Sequence, residues 1–218
     1  MGAKTWMIVY SDGDAKERLA KLPAIDREAT AKLAAELFPG EELQPLEDRN
    51  MVFTNPPDDK LYIGVFPGLA VVAAKEFGND LPSSLETRFL ERAPGSVVHL
   101  FAMHSVVDWF AFAIWENGTI KRSLSLSPDS EIMEDIGPKL PFEEPFWAGK
   151  HPAIEPDEEE ADNPYPLPFH PLDFGEAAMG ALIGYQMEGF GEFDVIDPEK
   201  VALMQYQRPK PKPWWKFW

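Results

Sequence analysis

Asn117-Gly118, set between the apolar runs 109–115 and 120–126, constrains this chain more than any other feature. Both residues of a two-residue type I′ turn need positive φ, which asparagine and glycine accept at low cost, so the flanking runs must pair as an antiparallel hairpin. Unbroken alternation away from the turn sets Glu116 opposite Thr119. One face then carries Trp109, Ala111, Ala113 and Trp115 with Ile120, Arg122, Leu124 and Leu126, and the other carries Phe110, Phe112 and Ile114 opposite Lys121, Ser123 and Ser125. A strand at 97–103 extends the hairpin into a meander.

The remaining signals place helices and strands around this meander. Residues 4–10 are rich in β-branched and aromatic side chains and end at Asp12-Gly13, which predicts a buried first strand closed by a turn. Asp14 followed by Glu17 has capping-box form, and Asp26 can cap a second helix running to Phe38 before Pro39-Gly40. Leu61 to Phe66 and Leu69 to Ala74, joined by Pro67-Gly68, predict a second strand pair, central because it is apolar on both faces. Leu85 and Phe89 with nearby Leu81 and Leu90 make one apolar stripe, predicting a helix over 82–92. Asp173 and Glu176 predict the start of a late helix that Gly189 to Gly191 closes, and Val201 to Tyr206 reads as a last strand.

Between Pro138 and Pro171 nine prolines and the acidic run 157–160 forbid a persistent regular element. Phe142, Phe146, Trp147, Tyr165 and Phe169 in that stretch imply that parts of the loop are pinned to the body. The expected architecture is α+β: a single domain over 1–206, with a mostly antiparallel sheet flanked by a few helices. A proline-rich acidic surface loop at 138–172 lies within it, and a separate basic aromatic tail follows at 207–218.

Composition narrows function. The absence of cysteine removes thiolate zinc sites, disulfides and cysteine nucleophiles. The opening ten residues fall far short of a signal-peptide core, so the expected compartment is the cytoplasm. Thirty-seven acidic against 20 basic residues give a net charge of -17, which repels phosphate backbones and argues against nucleic-acid binding.

Met1-Gly2-Ala3-Lys4-Thr5, the turn from Tyr10 to Asp14, and the stretch from Trp115 through Asp135-Ile136-Gly137 to Leu140-Pro141-Phe142-Glu143 resemble an actinobacterial family known only as a domain of unknown function. The resemblance covers most of residues 1–206 and implies a bacterial cytosolic origin, with no activity, cofactor or catalytic residue attached to it.

Several residue sets have a chemical reading beside a structural one. Asp12-Gly13-Asp14 after an apolar strand is similar to the paired aspartates of haloacid-dehalogenase-type phosphotransferases, which would make this a metal-dependent phosphate-handling enzyme, with His104 as a further participant. The hydroxyl residue expected after the second aspartate is missing, and a helix-capping turn explains the same residues. His99 and His104, five apart on one strand, point to opposite faces and cannot share a metal, although His104 in a turn would approach Asp108. Arg122 can stack on a tryptophan or pair with a carboxylate. No sequence motif calls for a cofactor.

The tail stands apart. Four of the 20 basic residues, Arg208, Lys210, Lys212 and Lys216, lie in the last eleven positions, leaving 16 basic and 37 acidic residues elsewhere, a charge of -21. Proline alternates with cations from Arg208 to Pro213, favouring an extended stalk, and Trp214, Trp215, Phe217 and Trp218 follow. Folding back on the acidic body, capture of a protein partner or a second copy, and seating at a membrane interface compete for this segment. The leading expectation is a non-enzymatic binding or adaptor protein acting through Arg208, Lys210, Lys212, Trp214, Trp215, Lys216, Phe217 and Trp218. The alternatives are the phosphate-handling enzyme and an acidic immunity-type inhibitor that needs only the body.

Overall fold

The computed structural model describes residues 2–154 and 165–209. In chain order the elements are β1 (Lys4–Ser11), α1 (Ala15–Ala20), α2 (Arg27–Leu37), β2 (Gln44–Pro45), β3 (Arg49–Asn50), β4 (Lys60–Phe66), β5 (Leu69–Ala73), α3 (Arg88–Glu91), β6 (Val97–His104), β7 (Trp109–Glu116), β8 (Thr119–Ser127), β9 (Glu131–Ile136), α4 (Glu144–Trp147), α5 (Pro171–Ile183) and β10 (Ala202–Gln207). The strands build one open sheet in the order β2-β10-β4-β5-β1-β6-β7-β8-β9, with β3 pairing β10, and every described pairing is antiparallel. With its flanking helices this is an α+β domain of the kind expected.

The sheet is covered on both faces, which explains why its central strands are apolar throughout rather than alternating. Met7, Val9, Phe101, Met103, Phe110 and Phe112 face α1, α5 and the proline-rich segment. Ile8, Tyr10, Leu100, Ala102, Ala111 and Ala113 face α2 and the chain from Phe77 to Phe89. Along the free edge, β9 is short, carries Glu131, Glu134 and Asp135, and is mostly exposed, a composition that discourages edge-to-edge pairing.

The caps at Asp14 and Asp26 form as expected, their carboxylates accepting the backbone N–H of Glu17 and Ala29, both at 2.9 Å. Five readings need correction. The region 82–92 is not one helix: a 3-10 turn at Pro82–Ser84 and the single turn α3 are separated by Leu85, whose extended backbone drops its side chain into the core beside Phe89. Leu81, assigned to the same stripe, is exposed. The late helix starts at Pro171, two residues before Asp173, with His170 as its cap, because proline is favoured in the first turn.

That helix also ends earlier, at Gly184 in the left-handed region with φ 65°, and not at Gly189 to Gly191. Glu176 does not close a capping box. Its buried carboxylate accepts the N–H groups of Met187, Glu188 and Gly189 at 2.9, 3.1 and 3.3 Å, organising the turn beyond the helix. Because a β-carbon strains a left-handed residue, Gly184→Ala is expected to lower unfolding free energy by about 1 kcal/mol in a denaturant titration.

The proline-rich segment is pinned as its aromatics suggested. Phe174 of α5 sits 4.8 Å from Phe169, 5.1 Å from Phe146 and 5.5 Å from Phe142 between ring centroids, and also meets Phe110 and Phe112 of the sheet. The single turn α4 forms within the segment despite its prolines, with Pro145 in its first turn.

Candidate functional site

The hairpin turn has the expected conformation, with φ of 50° at Asn117 and 74° at Gly118, and Glu116 pairs with Thr119. Alternation then breaks. Trp115 pairs with Ile120 but Ile114 pairs with Arg122, leaving Lys121 as the extra residue of a β-bulge, and every residue beyond it changes face. Arg122, Leu124 and Leu126 therefore join Phe110, Phe112 and Ile114, while Ser123 and Ser125 join the tryptophans. The bulge sends Lys121 toward Glu116 at the surface and turns the two leucines into the thicker core layer.

Arg122 thus does not stack on a tryptophan and takes the other expected use, pairing with carboxylates. Fully buried beside the Phe112 ring, it donates Nε and Nη2 to the buried Glu143 carboxylate at 2.8 and 2.7 Å, and Nη1 to the Ile136 carbonyl at 3.0 Å and to Asp135. Burial alone would lower its pKa, but the hydrogen bonds to Glu143 and Asp135 outweigh it and hold the guanidinium charged. Glu143 also accepts the backbone N–H of Leu140 and the indole N–H of Trp147, so this ion pair ties the proline-rich segment to β8.

Asp12, Asp14 and His104, the residues of the phosphotransferase reading, all take part in local hydrogen bonds. Asp14 spends its carboxylate on the α1 cap, and Gly13 takes φ 90° in the turn. The Asp12 carbonyl accepts from Arg18. His104 ends β6, where its Nδ1 accepts the backbone N–H of Val106 at 3.2 Å, and Asp108 lies 3.7 Å from His170 instead. Among the described residues no group of three or more histidine, aspartate or glutamate side chains is placed to hold a metal ion.

Of the predicted tail residues, Lys210, Lys212, Trp214, Trp215, Lys216, Phe217 and Trp218 lie outside the described residues, and Arg208 lies within them. Its side chain is held against the body. Its Nε and Nη2 donate to Glu41 at 2.9 and 2.6 Å, Nη2 also meets Glu76 at 2.6 Å, and the guanidinium lies 5.2 Å from the Phe38 ring centroid. Its backbone N–H reaches the Asp59 carbonyl at 2.8 Å, one residue past the end of β10. Burial would lower the Arg208 pKa, but the two carboxylates raise it well above the ordinary arginine value.

Sequence reasoning did not single out a cleft at the same end of the sheet. Trp6 of β1, His104 of β6 and Trp109 of β7 lie side by side, with ring centroids 5.9 Å apart for Trp6–His104 and 5.8 Å for Trp6–Trp109. They floor a cleft of about 400 Å³ whose rim includes Asp80 and Asp129. Strand register places these rings together, since His104 pairs with Trp109 and Trp6, opposite Ala102, is the diagonal neighbour of His104 on the same face. No local motif announces it.

Among the described residues no helix is long and apolar enough to cross a membrane. Neither the curated proteins nor the solved structures contain a match to this chain. A family model does match residues 5–206, from β1 to within one residue of the end of β10, and the chain belongs to that family, described as a family of unknown function (DUF6928).

Proposed function

We propose that this chain is a cytoplasmic, non-enzymatic binding protein of bacterial origin, in which the α+β body is a scaffold and the segment 207–218 engages a protein partner or a second copy of the chain. The observation that carries the reading is the mount of Arg208. Two carboxylates from different parts of the chain, an aromatic face and a backbone hydrogen bond fix the point at which the basic aromatic segment leaves the sheet. A segment fixed at its root loses less freedom on binding than one joined by a loose linker. Tryptophan-rich ends concentrate binding energy in few side chains, and four aromatics occupy the last five positions.

The test compares the full chain with a chain ending at Pro209, which keeps the Arg208 mount, as immobilised baits. The expected result is a protein retained by the full chain, released by a synthetic peptide of residues 207–218, and not retained by the shorter chain. Identical retained sets would refute the reading.

A further inference from the structure

We propose that the cleft between Trp6 and Trp109 is a binding site for a small organic cation carrying an alkylated ammonium head. The site is independent of the C-terminal segment and of the function proposed for it.

The floor consists of three aromatic rings, and none of them offers a positive charge. The Trp109 indole N–H donates to Ser125 Oγ at 3.1 Å, so its polar atom is already engaged within the sheet. His104 accepts the Val106 N–H through Nδ1, which leaves the proton of the neutral ring on Nε2. Partial burial, followed by the nearby Lys4 charge, lowers its pKa, so the ring is neutral near pH 7. Gly78 lies against Trp6, where a β-carbon would approach the ring to 2.9 Å, and this close approach fixes the indole in the cleft wall.

The rim supplies the charge. Asp80 and Asp129 are both exposed, and among the described residues neither forms an ion pair. Glu134, on the neighbouring strand, is occupied by Ser83 and Ser123, which holds the 3-10 turn at Pro82–Ser84 against the sheet. An aromatic floor with an unpaired acidic rim attracts a cation through the ring quadrupole and through charge, and repels anions. Lys4 Nζ, 5.2 Å from the Trp6 centroid, occupies one face of that ring and opposes a second cation there, so the attraction rests on Trp109, the neutral His104 ring and the two carboxylates. A bulky alkylated ammonium is poorly hydrated and gains more from such a floor than a metal ion, for which no group of three or more histidine or acidic side chains is assembled among the described residues. A cleft of about 400 Å³ suits a ligand of that size.

The test titrates the full chain with choline and, separately, with 3,3-dimethylbutan-1-ol, its neutral carbon isostere, at constant ionic strength, following the indole N–H signals of Trp6 and Trp109 by NMR. Choline should shift both signals saturably, and the isostere should bind at least about ten-fold more weakly. Asp80→Asn with Asp129→Asn, both at exposed positions and so without consequence for folding, should weaken choline about ten-fold. Trp6→Leu should abolish the shift of Trp109, with unchanged far-UV circular dichroism as the folding control. Equal binding of the isostere would make the cleft a merely apolar crevice, and the absence of a saturable choline shift up to about 50 mM would overturn the site.

Discussion

Arg122→Met is expected to destabilise the protein by about 3–5 kcal/mol, lowering the thermal midpoint by about 10 °C. Arg122 and Glu143 are both fully buried, and removing the cation leaves the carboxylate in the core with only the Leu140 and Trp147 N–H groups to compensate it. Asp135, which is 40% exposed, can turn to water and contributes little to the loss. The diagnostic partner is the double variant Arg122→Met with Glu143→Gln. A neutral amide keeps an acceptor for the Leu140 N–H and carries no stranded charge, so most of the stability should return. If the single variant lost less than about 1 kcal/mol, the guanidinium would not be the tie between β8 and the proline-rich segment.

His99 makes stability depend on acid. Its ring is 7% exposed on β6, between Val9 of β1 and Ile114 of β7, and stacks on Phe101 at 6.2 Å. Burial pushes its pKa down to about 4, and the charge of Asp14 opposes that shift only in part. A depressed pKa favours the neutral ring in the folded chain, so its contribution is complete above the unfolded value near 6.5 and drains away as pH falls toward 4. Across that window the site should cost about 3 kcal/mol. His99→Leu fills a similar volume without titrating, and its unfolding free energy should fall less steeply between pH 6.5 and 4.5 than that of the parent. Parallel curves for the two proteins would place the acid sensitivity elsewhere.

Local chemistry was legible in the sequence wherever it was carried by neighbours in the chain. Asn117-Gly118 made its turn, Asp14 and Asp26 capped their helices, and the antiparallel α+β class followed from the order of elements. Side-chain faces were not legible beyond Lys121, because the bulge is set by packing across the sheet: it brings Leu124 and Leu126 under Phe110 and Phe112 and Arg122 to Glu143, 21 residues away. A period-2 count has no access to that energy. The same limit hid the strand β9, a stretch with no element assigned to it from sequence, and the break at Leu85, where a core position outweighed helix periodicity.

The candidate sites depended still more on distance. Arg208 reads from sequence as part of the tail 207–218, for which folding back on the body is one of three destinations, but its partners Glu41 and Asp59, 167 and 149 residues earlier in the chain, could not be named. Trp6 and Trp109 meet only because β1, β6 and β7 are adjacent in the sheet. Neither arrangement carries a spacing that a motif could describe.

The central claim, that the C-terminal segment engages a partner or another copy, is tested most directly by acrylamide quenching of tryptophan fluorescence combined with sedimentation, comparing the full chain with the chain ending at Pro209. The difference between the two isolates Trp214, Trp215 and Trp218 from the four tryptophans of the body. The account predicts that these three are accessible to quencher in a monomer, or become shielded only as the full chain associates with rising concentration. Three shielded tryptophans in a strictly monomeric full chain would contradict it, because the segment would then be spent on its own body.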